Sequence, residues 1–224
     1  MDVKSVGFSN SNQNFCATPL YRFNVREKIP FTPFYKRVNA QFVKLDPADL
    51  PAISRYYSNR STSGIASDFY VSMRYHEPNV DFFAMTLQQD NCRILDSKKI
   101  IGIGSCAIYH SENTKRNRLF VSLLDTMSSK NKNAKFEEKE INFFGLKLKS
   151  KINYKKTGKK ILKGFVYWGT KANIDGMQLR SLESAEDFYA KKMKFSEIRS
   201  ENQQPFELKT FFLPCERFKN ITRD

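Results

Sequence analysis

The chain has 224 residues, and its 40% hydrophobic content with twenty Phe provides enough apolar side chains for a substantial core and excludes a wholly disordered protein. Its 38 Lys and Arg against 23 Asp and Glu give a formal net charge of +15, which favours an anionic partner. The four cysteines form no C-x-x-C pair, so neither a zinc site nor a disulfide framework is indicated. Without a signal-like segment or a run of about eighteen apolar residues, the sequence predicts a basic, cytoplasmic protein with no membrane span and no bound metal.

Residues 1–40 are predicted to form an extended N-terminal arm. The segment is polar at first, with several Ser and Asn, and then carries Pro30 and Pro33 among aromatic residues. Proline biases the residue before it toward extended backbone, so the rings of this segment are expected to pack on a main domain that spans 41–224.

The first half of the main domain contains signals for strands and helices. QFVKL, starting at Gln41, predicts a strand, and Asp46 is placed to cap a helix that has a proline in its first turn. A second helix is predicted over 66–76. Further strands are predicted at 82–87, 92–95 and 100–110.

The middle of the chain is ambiguous. Apolar residues recur at helical spacing over 114–127, with Asn113 or Thr114 as a possible cap, so a helix is favoured over a strand. After a polar loop, apolar residues alternate with lysines from 144 to 154, which predicts a strand. The turn KKTGKK and the apolar run ILKGFVYWGT complete the expected hairpin, so a basic hairpin insertion is predicted at about 130–163.

The C-terminal part is predicted to form one helix and two strands. Leu182, Ala185 and Phe188 recur along one face of SLESAEDFYAKKMKF, which indicates an amphipathic helix followed by strands near KFSEI and in PFELKTFFLP. Tyr189 lies near the junction of helix and strand, where its hydroxyl is placed to act as an acid in a cleft. The alternative is that Tyr189 packs in the core, as aromatic pairs on helices commonly do.

Three segments together resemble the GCN5-related N-acetyltransferase (GNAT) family. They are the opening QFVKLDPADLPAI, the strand ending in KKIIGIGSCAIY, and the pattern A185-x-x-F188-Y189 followed by Lys194 and Phe195. The resemblance covers about 41–213. It implies an α/β fold with a mixed central sheet flanked by helices, to which the arm and the basic hairpin would be additions.

The resemblance also implies an activity, the transfer of an acetyl group from acetyl-CoA to an amine on a small molecule or a protein. In this family, main-chain N–H groups ahead of a helix hold the CoA pyrophosphate, a common use of helix N-termini, and a tyrosine in the late helix protonates the leaving thiolate. The resemblance assigns this proton-donor role to Tyr189. His110 and Glu112 are the candidate bases.

The position of the phosphate loop stays open among three basic segments. They are Lys115–Arg118, Lys130–Lys135 and Lys155–Lys160, and only the last contains a glycine, Gly158. Because a helix is expected to start after residue 114, the first is preferred. The cofactor-binding residues are therefore predicted to be Ile108, Tyr109, Arg116, Asn117 and Arg118.

A second hypothesis assigns the chain to a different class of protein. Residues 130–163 contain twelve lysines against three glutamates, interleaved with aromatic residues. A basic hairpin with aromatic rings can follow a phosphate backbone and stack on bases, so the chain could be a non-catalytic GNAT-like protein that binds nucleic acid or an acidic protein. Alternatively, the lysines form the solvated face of an edge strand.

Overall fold

The structure of the chain is a computed structural model that describes residues 18–61, 63–88, 95–111, 115–127, 138–143, 146–198 and 208–222. Within these residues, one large mixed sheet carries helices on its faces, and a two-stranded sheet stands apart from it. In chain order the strands are β1 (Thr18–Lys28), β2 (Tyr35–Lys44), β3 (Val80–Leu87), β4 (Ile100–Ser111), β5 (Arg116–Thr126), β6 (Glu138–Phe143), β7 (Leu146–Lys151), β8 (Tyr154–Lys155), β9 (Ile174–Ser181), β10 (Ser196–Ile198) and β11 (Lys209–Pro214).

The helices connect these strands. They are α1 (Leu50–Arg60), α2 (Gly64–Arg74), α3 (Thr157–Thr170), α4 (Glu183–Asp187), which continues into a π-helical turn over Phe188–Lys192, and α5 (Lys219–Thr222). None of the helices in the described part of the chain combines the length and the apolar character needed to cross a membrane.

The strand order of the large sheet is β10-β11-β9-β5-β4-β3-β2-β1-β8, and β6 pairs with β7 in the separate sheet. Every neighbouring pair in the large sheet is antiparallel except β5 and β9, which are parallel. A parallel pair requires a crossover connection, and α3 lies within the connection between these two strands. The mixed α/β architecture predicted from the sequence is confirmed.

Several predicted elements are also confirmed at the level of single segments. Asp46 caps a short 3₁₀ turn that leads into α1, and the second helix forms as α2. The predicted strands at 82–87 and 100–110 correspond to β3 and β4, and the late helix corresponds to α4 with its π-helical turn. Most of the strand predicted at 92–95 and the polar loop after residue 127 lie outside the described residues.

Three predicted elements are wrong. Residues 18–40 form β1 and the first part of β2, which pair with each other, so the large sheet begins at Thr18 rather than at residue 41. Residues 116–126 form β5 instead of a helix. Residues 157–170 form α3 instead of the second strand of a hairpin, and the partner of β7 is β6.

A β-bulge explains why β5 resembles a helix in sequence. The register between β4 and β5 shifts opposite Ser105 and Cys106, so that Ser122 is the extra residue. A bulge inserts one residue and reverses the alternation of side chains beyond it. Apolar residues therefore face α3 at Leu119, Val121 and Leu124, a spacing that departs from strict alternation.

The helix α3 packs its apolar side against the sheet through three aromatic rings. The rings of Phe42, Phe83 and Phe165 have centroids 5.0 to 5.5 Å apart. Gly164 allows this approach, because a Cβ on Gly164 would lie 2.5 Å from Cγ of Phe42, closer than any real side chain permits. The position of α3 over the sheet thus depends on a glycine at residue 164.

Replacing Gly164 by Ala is therefore expected to lower the free energy of unfolding by about 1–3 kcal/mol, the usual range for overpacking a core. For a chain of this size, that loss lowers Tm by roughly 2–10 °C. Thermal and urea unfolding measure both values. Gly64→Ala is the matched control, because no atom lies within 4 Å of a Cβ built on Gly64 in α2; an equal loss in the two variants would contradict the packing explanation.

Candidate functional site

The two parallel strands β5 and β9 separate toward their C-terminal ends. Their ladder runs from the pair Asn117 and Ile174 to the pair Val121 and Leu179. Beyond this point β5 continues to Thr126 and β9 continues to Ser181. Past Val121 and Leu179 the two strands are no longer paired with each other, so the pairing of the sheet has a gap at their C-terminal ends.

The helix α3 begins in the basic loop Lys155–Lys160. Lys156 occupies the position before the helix with φ 65° and provides no side-chain cap. The first N–H groups of a helix have no partner within the helix and attract anions. In addition, the Thr157 hydroxyl is fully buried and has no hydrogen-bond partner among the described residues. Backbone donors, lysines and an unused hydroxyl thus meet at this helix start, which suits a phosphate group.

Gly158 and Phe188 join this helix start to the late helix. A Cβ on Gly158 would lie 3.1 Å from Cζ of Phe188, so the glycine lets the aromatic ring rest directly on the first turn of α3. Phe188 is the first residue of the π-helical turn. Turns of this kind are rare and are frequently found at functional sites. The start of α3 and the segment that carries Tyr189 are therefore in direct contact.

Tyr189 is buried beside this contact. Its ring lies against Phe195 and Phe211, with centroids 5.8 and 6.1 Å away, and 7% of the residue is exposed. Burial raises the pKa of Tyr189 to about 12, because an apolar environment disfavours the phenolate. The hydroxyl therefore keeps its proton at neutral pH and is available only as a proton donor.

A buried carboxylate, which sequence reasoning missed, lies near the end of β5. Asp125 accepts hydrogen bonds from Ser61 Oγ at 2.8 Å and from the Tyr56 hydroxyl at 3.3 Å. Burial, followed by the negative charge of Asp125, raises the pKa of Tyr56 well above its usual value, so Tyr56 stays a donor. The signal available in the sequence was an acidic residue at the end of the apolar run LFVSLLD.

The preferred phosphate site at Arg116, Asn117 and Arg118 loses its physical basis, because these residues lie at the start of β5 rather than ahead of a helix. Arg118 forms an ion pair with Asp175 at 3.4 Å and stacks its guanidinium on Phe212 at 4.6 Å. The side chain of Arg118 thus connects β5 to β9 and β11. Of the three basic segments considered, Lys155–Lys160 is the one described at the start of a helix.

The other predicted site residues lie at the opposite end of β5. His110 Nδ1 is 3.1 Å from Asn117 Oδ1, and the Tyr109 hydroxyl donates to Gln178 at 2.9 Å. Ile108 pairs with Leu119. Since Asn117 and the end of β5 are separated by about 30 Å of extended strand, His110 is far from the start of α3, and Glu112 lies outside the described residues.

Comparison with known proteins gives information on the fold. No family model and no curated protein matches the sequence. Among solved structures, the complex AtaTR bound with acetyl-CoA has a TM-score of 0.51 at 11% identity, covering 80% of this chain and 96% of that chain.

Two further solved structures complete the comparison. A bacterial toxin has a TM-score of 0.50 at 14% identity, covering 84% and 93% of the two chains. A GNAT-family acetyltransferase from Staphylococcus aureus Mu50 has a TM-score of 0.45 at 15% identity, covering 79% and 99%. The chain shares its fold with AtaTR and with the bacterial toxin, in agreement with the GNAT-like fold that the resemblance in its sequence implied.

Proposed function

We propose that the protein is an acyl-CoA-dependent N-acyltransferase that transfers an acetyl group from acetyl-CoA to an amine on a small molecule or a protein. The observation that carries the proposal is the start of α3, which has no side-chain cap and at which Gly158 lies against Phe188, in the segment that follows β9. This arrangement offers an anion site close to the segment that carries Tyr189.

The loop Lys155–Lys160 is proposed to hold the CoA pyrophosphate. The backbone N–H groups of the first turn and the positive end of the helix favour negative charge. The buried Thr157 hydroxyl supplies one more donor. The gap in pairing between β5 and β9 is proposed to receive the pantetheine arm, which would place the thioester near the C-terminal end of β5.

Tyr189 is proposed to donate its proton to the leaving group. The acceptor nitrogen attacks the thioester carbonyl carbon, the C–S bond breaks, and the sulfur takes the phenol proton. Tyr189 stays protonated at neutral pH and so has a proton to give, while the burial that raises its pKa to about 12 also makes it a weaker acid than an exposed tyrosine. The aromatic rings around Tyr189 favour the packing alternative, and a substitution can separate the two roles.

Asp125 is proposed to accept the proton that the amine loses. It is the carboxylate that the described residues place near the end of β5, and its donors Ser61 and Tyr56 fix its orientation. His110 lies at the other end of the strand. Glu112, the other base predicted from the sequence, remains a proposal because its position is not described.

The cofactor site is tested by binding. CoA at saturating concentration is expected to raise the Tm of the parent protein, since a ligand that binds only the folded state stabilises it. Lys156→Glu with Lys159→Glu should abolish this shift, whereas Arg116→Glu, an exposed change at the start of β5, should leave it intact. Differential scanning fluorimetry measures all three proteins.

If the shift is instead lost with Arg116→Glu and kept with the two lysine changes, the phosphate site lies in Lys115–Arg118, the segment preferred from the sequence. A parent protein that shows no shift with CoA or acetyl-CoA, and no heat of binding by calorimetry, would overturn the acyltransferase proposal as a whole.

The partner predicted for residues 130–163 stays a proposal. The hairpin of β6 and β7 forms a sheet of its own. Lys147, Lys149 and Lys151 are exposed along it. Lys147 pairs with Glu140 across the strands at 3.6 Å, which is also the pattern of a solvated strand. The domain boundary near residue 41 and the cytoplasmic location likewise remain predictions.

A further inference from the structure

Three cations lie side by side on neighbouring strands near the edge of the large sheet. Arg26 of β1 is directly opposite Arg37 of β2 on one side and Lys155 of β8 on the other. Cross-strand partners point to the same face, and like charges in this position destabilise a sheet. None of the three forms an ion pair within the described residues, so the fold itself gives no reason for this row.

The same face continues without acidic side chains along both strands. Arg22 precedes the row on β1, and Asn24 faces Asn39. The acidic residue of this hairpin, Glu27, pairs with Lys36 at 3.1 Å and, being one position from Arg26, points to the other face of the strand. The charges are thus segregated, with only cations and amides on the open face.

Exposed aromatic rings lie at the end of this face. Phe31 and Phe34 in the turn between β1 and β2 are 48% and 68% exposed. Lys155 Nζ lies 4.0 Å from the centroid of the Tyr35 ring. Because Arg37 is two residues from Tyr35, the rings and the cations are about 7 Å apart along the strand. Exposed rings beside a cationic track are the combination that binds single-stranded nucleic acid.

A cavity lies at the outer edge of β1, next to the cationic row. Its volume is about 350 Å³, and it is lined by Arg22, Arg26 and Arg37 on the strands and by Lys156, Lys159 and Lys160 at the start of α3. No acidic side chain lines it. The arginines therefore face a space that is large enough for a phosphate group with its sugar.

We infer that this surface binds the phosphodiester backbone of a single-stranded nucleic acid. Arg22, Arg26, Arg37 and Lys155 contact phosphates, and Phe31 and Phe34 stack on bases; together these six residues are called the β1–β2 platform. The exposed rings of Phe31 and Phe34 favour a nucleic acid over an acidic peptide, because bases can stack on them. Lys155 belongs to the loop proposed to hold the CoA pyrophosphate, but the inference rests on Arg22, Arg26, Arg37 and the two rings, which the acyltransferase proposal does not use.

The test measures the affinity of fluorescent single-stranded RNA and DNA of about 20 nucleotides by anisotropy over a series of salt concentrations. Arg22→Gln, Arg26→Gln and Arg37→Gln combined should lower affinity at least about tenfold at low salt and should flatten the slope of log K against log salt by about 2, since each phosphate contact on a single strand contributes close to 0.7. The RNA and DNA arms distinguish the two sources of the backbone.

A second variant separates stacking from charge. Phe34→Ser should lower affinity about five- to a hundredfold, the range for loss of stacking on a base, without changing the salt slope. Arg55→Gln, Arg74→Gln and Lys98→Gln combined remove three exposed charges outside the platform and outside the hairpin of β6 and β7, and they provide the matched control. The arginine variant should keep the far-UV circular dichroism spectrum and the cooperative thermal unfolding of the parent, which shows that it is folded.

Several outcomes would overturn the inference. One is a parent protein that binds neither oligonucleotide at about 50 mM salt. Another is an equal loss of affinity in the arginine variant and the matched control, which would mean that net charge alone is responsible. Polyglutamate that binds as tightly as the oligonucleotides, with no effect of Phe34→Ser, would assign the surface to an acidic protein.

Discussion

Replacing Tyr189 by Phe is expected to slow acetyl transfer by roughly ten- to a thousandfold while CoA binding is retained. The change removes one hydroxyl and leaves the ring that packs on Phe195 and Phe211, so the fold should be preserved. Thiol release from acetyl-CoA, measured with the amine that gives the parent its fastest rate, reports turnover. The CoA-induced shift in Tm reports binding.

The pH dependence of stability tests the surroundings of Tyr189 independently of activity. Its pKa is raised from 10.0 to about 12 by burial, so this contribution is fully present below pH 10 and is lost as the pH rises through 12. Between these values the unfolded chain loses the proton first, and between pH 9 and about pH 11.5 the parent should lose about 2 kcal/mol of stability relative to Tyr189→Phe. Urea unfolding of both proteins at pH 9 and at about pH 11.5 measures the difference.

A structural role for Tyr189 predicts a different result. Turnover would then be unchanged in Tyr189→Phe, and Tyr189→Ala would lose both thermal stability and CoA binding. That outcome would remove Tyr189 from the mechanism while leaving the fold and the proposed phosphate site unaffected.

Replacing Asp125 by Asn is expected to lower kcat/KM by roughly a hundred- to ten-thousandfold, the range for loss of a general base. Asparagine keeps the size of the side chain and one carbonyl oxygen, and the hydroxyls of Ser61 and Tyr56 can rotate to meet its amide. The variant therefore removes a charge with little change in packing.

The control for Asp125 is Ser61→Ala, which removes one donor to the carboxylate and leaves its charge. This variant should have a much smaller effect on kcat/KM than Asp125→Asn. If Asp125→Asn keeps full activity but lowers Tm, the carboxylate serves only to anchor the connection between α1 and α2 to β5.

The sequence predicted the elements whose side-chain pattern agrees with their local structure. Asp46 with its following proline indicated the start of α1, and the small residues around Gly102 and Gly104 indicated β4. The failures have a common cause. Ser122 in β5 forms a bulge, which breaks the alternation of a strand and imitates helical spacing. In 157–170 the buried pairs Ile161, Leu162 and Phe165, Val166 follow a helical period, but the apolar run after the turn KKTGKK was interpreted as the second strand of a hairpin.

The candidate site was harder to predict because its parts are distant in sequence. The error on β5 moved the expected helix start, and with it the preferred phosphate loop, from Lys155–Lys160 to Arg116–Arg118. The candidate role of Asp125 could be recognised only from its contacts with Tyr56 and Ser61. These residues are distant from Asp125 in the sequence, so no local pattern indicates the contacts. The cationic row of Arg26, Arg37 and Lys155 depends on strand register, which propensity alone does not fix.

The short pairing between β8 and β1 has a consequence for the order of folding. Lys155, the first residue of the basic loop, is held by Arg26 of the first strand, and the Lys28 N–H donates to Asn153 just before β8 at 2.9 Å. Contacts between segments so far apart in the chain form late, because a long loop must close first. The loop ahead of α3 should therefore gain its shape after the central strands have assembled.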